Sequence, residues 1–306
     1  MLWSPMRLAW PFLAVADAAG RGTGWCALGG PLRKQSDVDI YNDLRRSFRF
    51  IGLTSYTTFP LVDEGPISDY GRLCEGWCHC FRDPDLYIPS ELPRELISES
   101  DFLDYESVCP ENLSSADGPQ KDFDFIYVCL PGKWKETTKN WPLAKRCLHR
   151  LCYDLNLKGL LLGRWQILDL PFHRNLTVQG DVPHRQLLEY LCHSRMLFVP
   201  SVMDASPRIL AEALCLDVPI LVHRRILGGW KYVNSSTGAF FESEDDVTQA
   251  AQQCLGEGFR PRQWFKTNFG PILSSERLCG FLRQLDPQVK AMLPMQLARD
   301  VIVAMS

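Results

Sequence analysis

Short apolar runs alternate with helical patterns along the second half of the chain. The predicted strands read FDFIYVCL from Phe123, GLLLGR from Gly159, LTVQG from Leu176, MLFVPS from Met196 and PILVH from Pro219. The predicted helices cover about 140–155, 184–193, a segment from about Pro207, 247–255 and 274–285. Because the two kinds of element alternate, the pattern predicts an α/β fold with a doubly wound parallel sheet.

The carboxyl ends of the predicted strands are the expected position of a ligand site. Doubly wound sheets bind ligands there, where loops lead into the N-termini of helices. The corresponding loops follow Leu130, Gly163, Gly180, Ser201 and His223.

The first part of the chain lacks this alternation. Residues 30–118 contain only a few extended pieces among many Pro, Asp and Ser residues, which predicts a smaller, irregular α/β lobe. The stretch 111–122, ENLSSADGPQKD, has the composition of a linker. We therefore predict a lobe over 30–118, a doubly wound domain with C-terminal helices over 119–306, and a targeting or disordered segment over 1–29.

Composition narrows the partners and the compartment. A formal net charge of -3 gives no electrostatic argument for nucleic acid or an anionic membrane, so we expect no nucleic-acid partner. No segment approaches the roughly 20 apolar residues of a transmembrane helix.

The 12 cysteines lie mostly in apolar segments, which favours buried thiols and a reducing, cytoplasmic compartment, although the N-terminal pattern also suits a cleaved targeting peptide. Cys74, Cys78, His79 and Cys80 lack a second pair at zinc-finger spacing, and we expect packed thiols there rather than a metal.

The segment PSVMDASPRILAEAL places two carboxylates, Asp204 and Glu212, around a predicted helix start. Ser206 is the expected N-cap and Pro207 the first helical residue. The free amides of such a helix can bind an anion or a hydroxyl group. An alternative is that Glu212 only pairs with Arg208 on an exposed face, which would contribute about 0.2–0.5 kcal/mol.

The region from Gly180 to Phe241, which includes MLFVPS, the two spaced acids, EAL and TGAFF, resembles the donor-binding domain of family-4 retaining glycosyltransferases with the GT-B architecture. That family places two acidic residues, usually both Glu, with seven residues between them, and Asp204 and Glu212 match those positions. The resemblance covers about 121–255. Asp204 replaces a Glu, and Pro207 stands where the family usually has Gly.

The resemblance implies a role for each matching residue. Asp204 and Glu212 would form the catalytic pair, with Glu212 on the donor ribose and Asp204 on the donor sugar. The donor-binding residues would include the start of the helix, which comprises Ser206, Pro207, Arg208 and Ile209.

A basic loop after the first strand of this domain, LPGKWKETTKNWP, matches the family's diphosphate-binding segment with an offset spacing. Lys133, Lys135 and Lys139 would hold the donor diphosphate there, and a solvated basic loop is the alternative. Gly180 and the pair Gly228 and Gly229 would let a nucleotide approach the backbone, or else serve as simple turns.

These residues imply a hexosyl-type glycosyltransferase that moves a sugar from a nucleotide-sugar donor to an acceptor hydroxyl with retention of configuration. Lysines and a helix N-terminus would serve the diphosphate, so neither a metal nor a cofactor is expected. The acceptor, whether glycan, lipid or small molecule, stays open. The alternative is a non-catalytic nucleotide-sugar-binding or scaffold protein with a degenerate domain. A glycoside hydrolase using Asp204 and Glu212 fits poorly, because nothing identifies a water-activating arrangement.

Overall fold

The computed structural model describes residues 6–108, 120–164, 174–290, 293–298 and 302–303. Its strands are β1 (Met6–Arg7), β2 (Phe12–Ala16), β3 (Gly22–Leu28), β4 (Arg49–Leu53), β5 (Trp77–Cys78), β6 (Arg94–Glu95), β7 (Phe123–Val128), β8 (Gly159–Leu162), β9 (Leu176–Gln179), β10 (Ser194–Val199), β11 (Ile220–His223), β12 (Gly238–Phe241), β13 (Gln296–Ala298) and β14 (Ile302–Val303). Its helices are α1 (Gln35–Leu44), α2 (Tyr105–Val108), α3 (Lys133–Thr138), α4 (Trp141–His149), α5 (His184–Cys192), α6 (Arg208–Cys215), α7 (Val247–Cys254), α8 (Pro261–Asn268) and α9 (Pro271–Leu285).

The chain divides into two compact units. The first comprises Met1–Leu103 together with Phe269–Ser306, and the second comprises Asp104–Asn268. This division differs from the predicted boundaries at both ends. The apolar strands β2 and β3 lie within the predicted segment 1–29, and β13 pairs with β2 in the first unit. Pairing between residues this far apart in sequence leaves no local pattern, so the sequence does not indicate that the chain returns to the first unit.

The second unit contains a six-stranded sheet in the order β12-β11-β10-β7-β8-β9. Every adjacent pair in this sheet is parallel. The predicted α/β class with a parallel sheet is confirmed. Along the sheet, chain order reverses between β7 and β10, and this reversal is the point at which doubly wound sheets open a crevice beyond the strand ends.

The core of the second unit explains why its strands read as continuous apolar runs. Strands β7, β8, β10 and β11 are buried on both faces, as in other parallel sheets covered by helices. Phe125, Tyr127 and Phe198 contribute aromatic side chains to the core, and Trp141 and Leu148 of α4 pack on the same cluster. This packing fixes the strand ends that carry the loops.

The first unit contains a second six-stranded sheet, ordered β13-β2-β3-β4-β5-β6. Strands β3 to β6 are mutually parallel, whereas β2 and β13 join by antiparallel pairing. Trp25 and Ile51 of this sheet share a core with Leu278 and Leu282 of α9. The lobe predicted to be irregular therefore has an ordered sheet, while its connections after β4 and β5 are irregular. Since β3 to β6 follow one another in order, these parallel strands contain no reversal point.

The described cysteines are buried free thiols, and Cys109 lies outside the described residues. Burial raises the pKa of Cys26, Cys147 and Cys152 to about 12. Within the described ranges, no group of three or more His, Cys, Asp or Glu side chains could hold a metal ion. The helices of the same ranges include none that is both long and apolar enough to cross a membrane.

Candidate functional site

A cavity of about 270 Å³ lies at the strand reversal of the second unit. Its wall includes the carboxyl ends of the two strands that flank the reversal, β7 and β10. The residues that line it are Tyr127, Val128, Lys139, Leu187, Leu197, Phe198, Val199, Ser201, Asp204, Ser206, Pro207, Arg208 and Ile209. The cavity therefore occupies the place where strand topology alone predicts a ligand.

Lys139 is the cation that reaches this cavity from the β7 side. Its Nζ lies 2.5 Å from Oδ2 of Asp204, with the two side chains 24% and 15% exposed. The Tyr127 hydroxyl donates to the Lys139 carbonyl at 3.1 Å. The next residue, Asn140, donates from Nδ2 to the Pro200 carbonyl at 3.2 Å. An ion pair and an amide hydrogen bond thus join the connections that follow β7 and β10.

The other two predicted lysines lie elsewhere. Lys133 and Lys135 belong to the short helix α3, and neither lines the cavity. The Lys135 ammonium instead lies 4.8 Å from the centre of the Trp134 ring, which is half-exposed. Of the three predicted lysines, Lys139 therefore lines the cavity, whereas Lys133 and Lys135 do not.

Helix α6 points its first turn at the cavity but starts one residue later than predicted. The helix begins at Arg208, and Pro207 rather than Ser206 occupies the N-cap position, where it provides no side-chain cap. The predicted donor-binding segment, which comprises Ser206, Pro207, Arg208 and Ile209, lines the cavity. The N-terminus of a helix carries partial positive charge and amide donors that lack intrahelical partners, so it can receive an anion.

The glycine pair after β11, Gly228 and Gly229, packs against the loop that contains Asp204. The Gly228 amide donates to the Asp204 carbonyl at 2.9 Å. A Cβ atom at Gly228 would lie 1.7 Å from the Ala205 carbonyl oxygen, and one at Gly229 would lie 2.7 Å from the Pro207 ring. Gly228 and Gly229 therefore let two protein loops pack together. Gly180 is buried and does not line the cavity.

Glu212 lies four residues into α6 and is only 3% exposed. Its Oε1 accepts from Arg208 Nε at 2.9 Å and contacts His184 Nε2 at 2.8 Å. The pairing with Arg208 that the sequence offered as an alternative is present. However, Glu212 is buried, so the small energy of an exposed pair does not describe it, and removing one partner of a buried ionic group is costly.

Two residues of this region were not predicted as site residues. Ser201 lines the cavity, and its buried Oγ has no hydrogen-bond partner among the described residues. His184 begins α5 and contacts Glu212. The sequence positions of both residues could have indicated a site role, because Ser201 ends the predicted strand segment MLFVPS and His184 follows the loop after Gly180.

Solved structures with a similar fold include glycosyltransferases. TarM aligns with a TM-score of 0.55 and 12% identity over 82% of this chain and 53% of its own. The lipopolysaccharide outer core galactosyltransferase WaaB aligns with a TM-score of 0.58 and 12% identity, over 80% of this chain and 72% of its own. Sucrose-phosphate synthase from Thermosynechococcus elongatus gives 0.53 and 13%, over 81% and 71%. The chain therefore spans about half the length of TarM.

These likenesses establish the GT-B glycosyltransferase fold that the sequence resemblance predicted. S. aureus TarM and the pneumococcal O-GlcNAc transferase GtfA were both solved in complex with UDP. In the sequence comparisons, no protein-family model and no curated protein matches the chain.

Proposed function

We propose that this protein is a glycosyltransferase that moves a hexosyl group from a nucleotide-sugar donor to an acceptor hydroxyl, with retention of configuration and without a metal ion. The observation that carries the proposal is the cavity at the reversal of β7 and β10, which combines Lys139, Asp204 and the first turn of α6. The glycosyltransferase fold supports the reaction class, and the UDP complexes of TarM and GtfA support a nucleoside diphosphate as the leaving group.

This reaction needs electrostatic stabilisation of the leaving diphosphate, because negative charge develops there as the glycosidic bond breaks. Lys139 and the start of α6 can supply this stabilisation. A lysine acts on phosphate as a point charge, and the helix adds amide donors. This arrangement supports the proposal that the diphosphate binds without a metal ion.

Donor binding would affect the ion pair between Lys139 and Asp204. A diphosphate carries more negative charge than a single carboxylate and would compete for Lys139. Asp204 would then lose its partner and face the donor sugar as a hydrogen-bond acceptor. Donor binding would in this way prepare Asp204 for its role in transfer.

Two measurements test this function. Thermal unfolding is followed with UDP, GDP, ADP and their sugar conjugates in chelator-treated buffer, where a ligand at 100 times its dissociation constant should stabilise the protein by about 2.7 kcal/mol. Slow hydrolysis of the stabilising nucleotide sugar is then followed by proton NMR, and a retaining enzyme should first release the anomer present in the donor. An absolute requirement for magnesium in binding would contradict the metal-independent site, and release of the opposite anomer would contradict retention.

A non-catalytic nucleotide-sugar-binding protein is the second candidate. The pairing of Asp204 with Lys139 favours it, because each group already has a partner of opposite charge. Binding without any hydrolysis or transfer, over a panel of sugar, lipid and glycan acceptors, would identify this case.

A further inference from the structure

A very short connection carries Lys139 to the cavity. Helix α3 ends at Thr138 and α4 begins at Trp141, so only Lys139 and Asn140 lie between them. Because the connection is this short, the position of the Lys139 side chain depends on where α3 and α4 lie relative to each other.

Arg164 contacts both of these helices. It lies two residues after the end of β8 and is 9% exposed. Its Nη2 donates to Oε1 of Glu136 in α3 at 2.8 Å. Its guanidinium carbon lies 4.1 Å from the centre of the ring of Trp141, the first residue of α4. One buried side chain thus links the end of β8 to the helices on either side of Lys139.

A further contact of Trp141 leads to Lys139 itself. The Trp141 and Tyr127 rings are stacked, with their centres 6.3 Å apart and their planes 11° apart. The Tyr127 hydroxyl in turn donates to the Lys139 carbonyl. Arg164, Trp141 and Tyr127 therefore form a continuous series of contacts that ends at the backbone of Lys139.

Stability alone does not account well for an arginine at this buried position. The Nε of Arg164 is buried and has no hydrogen-bond partner among the described residues. Besides Glu136, Nη2 contacts the Cys129 sulfur at 3.6 Å, and a thiol is a weak acceptor. A buried guanidinium with an unpaired donor costs free energy, and an apolar side chain of similar volume could fill the same space at less cost. The contacts with α3 and α4 are therefore what distinguishes arginine from an apolar residue here.

We propose that Arg164 is a positioning residue, which holds α3 and α4 so that the Lys139 ammonium faces the cavity and binds the diphosphate there. Arg164 is not among the residues that line the cavity, so it acts through Lys139 rather than on the ligand. The inference rests on the proposed function, since it concerns the lysine that binds the diphosphate.

The test measures pyrophosphate affinity by calorimetric titration, together with the melting temperature of each protein. The proteins are the wild type, Arg164→Met, Glu136→Gln, Lys139→Ala and the double variant Arg164→Met with Lys139→Ala. Arg195→Met is the matched control, because Arg195 also pairs with an acid, Asp124, at 3.1 Å. This pair lies near the amino ends of β10 and β7, whereas the cavity lies at their carboxyl ends.

We expect Arg164→Met to lower the affinity for pyrophosphate about three- to tenfold, with the loss caused by Lys139→Ala as the upper limit. In the Lys139→Ala background, the same substitution should change the affinity less than about twofold, because the group that Arg164 positions is already absent. Arg195→Met should bind pyrophosphate like the wild type. A purely structural role would instead lower the melting temperature and leave the affinity of the folded protein unchanged.

Glu136→Gln separates positioning from a simple effect of charge. The Glu136 side chain is 37% exposed, so this substitution should not prevent folding. Removal of an acid would by itself favour an anionic ligand. Loss of the pair with Arg164 should instead weaken pyrophosphate about two- to fivefold, because α3 is then held less firmly.

The outcomes distinguish this inference from the proposed function. Unchanged affinity of Arg164→Met, the same loss with and without Lys139, or tighter binding by Glu136→Gln would overturn the positioning role and leave the function standing. If Arg164→Met does not fold, the direction of the change in Glu136→Gln decides. Failure of the wild type to bind pyrophosphate would overturn the inference, and failure to bind UDP, GDP and ADP as well would overturn the proposed function.

Discussion

Gly228→Ala should damage the cavity while leaving the sheet in place. Gly228 is tied through its amide to the Asp204 carbonyl, and it lies against the backbone of Ala205. An added Cβ would lie 1.7 Å from the Ala205 carbonyl oxygen, whereas real Cβ contacts are essentially never shorter than 3.0 Å. The two loops must therefore separate by about 1.3 Å, the difference between these two distances.

This displacement sets the size of the expected effect. Overpacking of this kind costs about 1–3 kcal/mol of stability. A misplacement of about 1 Å in a catalytic group can reduce the rate by about 100-fold. We expect donor turnover to fall by about 10- to 100-fold, because Asp204 and the start of α6 move with the loop.

Gly238→Ala is the matched control. A Cβ there would lie 1.9 Å from the Ile220 carbonyl oxygen, a clash as severe as the one at Gly228. Gly238 and Ile220 begin β12 and β11, so they lie at the edge of the sheet opposite the cavity. This variant should lose similar stability but retain nucleotide binding when it is folded.

Thermal unfolding measures the loss of stability. Calorimetric titration with the nucleoside diphosphate, at a temperature below the unfolding transition of the less stable variant, measures the loss of affinity. The reasoning is refuted if Gly228→Ala binds and turns over donor like the wild type. It is equally refuted if both variants lose affinity in proportion to their loss of stability.

Three further substitutions test the groups around the cavity. Glu212→Gln keeps the size of the side chain and should weaken a nucleoside diphosphate by about 5- to 100-fold, from 1–3 kcal/mol, with pyrophosphate unchanged in the same titration; a lower melting temperature with unchanged affinity would assign Glu212 a purely structural role. Asp204→Asn removes the competitor for Lys139 and should tighten pyrophosphate by about two- to fivefold while donor turnover falls; weaker pyrophosphate binding would contradict this competition. Lys139→Ala should lower the affinity for pyrophosphate at least about tenfold, whereas the double variant Lys133→Ala with Lys135→Ala should change it less than about twofold. Comparable losses in a titration would show that Lys133 and Lys135 also contribute to pyrophosphate binding.

Most of the second unit could be predicted because its elements carry local signals. Strand β10 is a buried apolar run that ends before a polar loop, and α6 follows with a proline at its start. These signals also located the segment that lines the cavity. The error of one residue at the helix start is the usual uncertainty of a boundary, since Ser206 is the better N-cap residue by type but Pro207 occupies the position.

Pairing over long distances and the direction of side chains could not be predicted in the same way. Nothing local marks α9 as part of the first unit, because its burial against Trp25 depends on the folded chain. The three lysines after β7 look equivalent in sequence, and only the turn of α3 places Lys139 at the cavity. The hydrogen bond from His184 to Glu212 likewise joins two helices that are separated by a strand.

The two-part first unit has a consequence for how the protein is made. The Asp101 carbonyl accepts hydrogen bonds from the Gly270 amide and the Ser274 hydroxyl, so the chain leaves the first unit and returns to it at adjacent points. Residues 104–268 thus form an insertion, and closing a loop of that length costs the first unit about 4–5 kcal/mol if the insertion is unfolded. A folded insertion with adjacent ends would lower that cost. Because synthesis proceeds from the N-terminus, the whole insertion emerges before α9 and β13. The ligand cavity of the second unit can therefore form on the ribosome before β13 completes the sheet of the first unit.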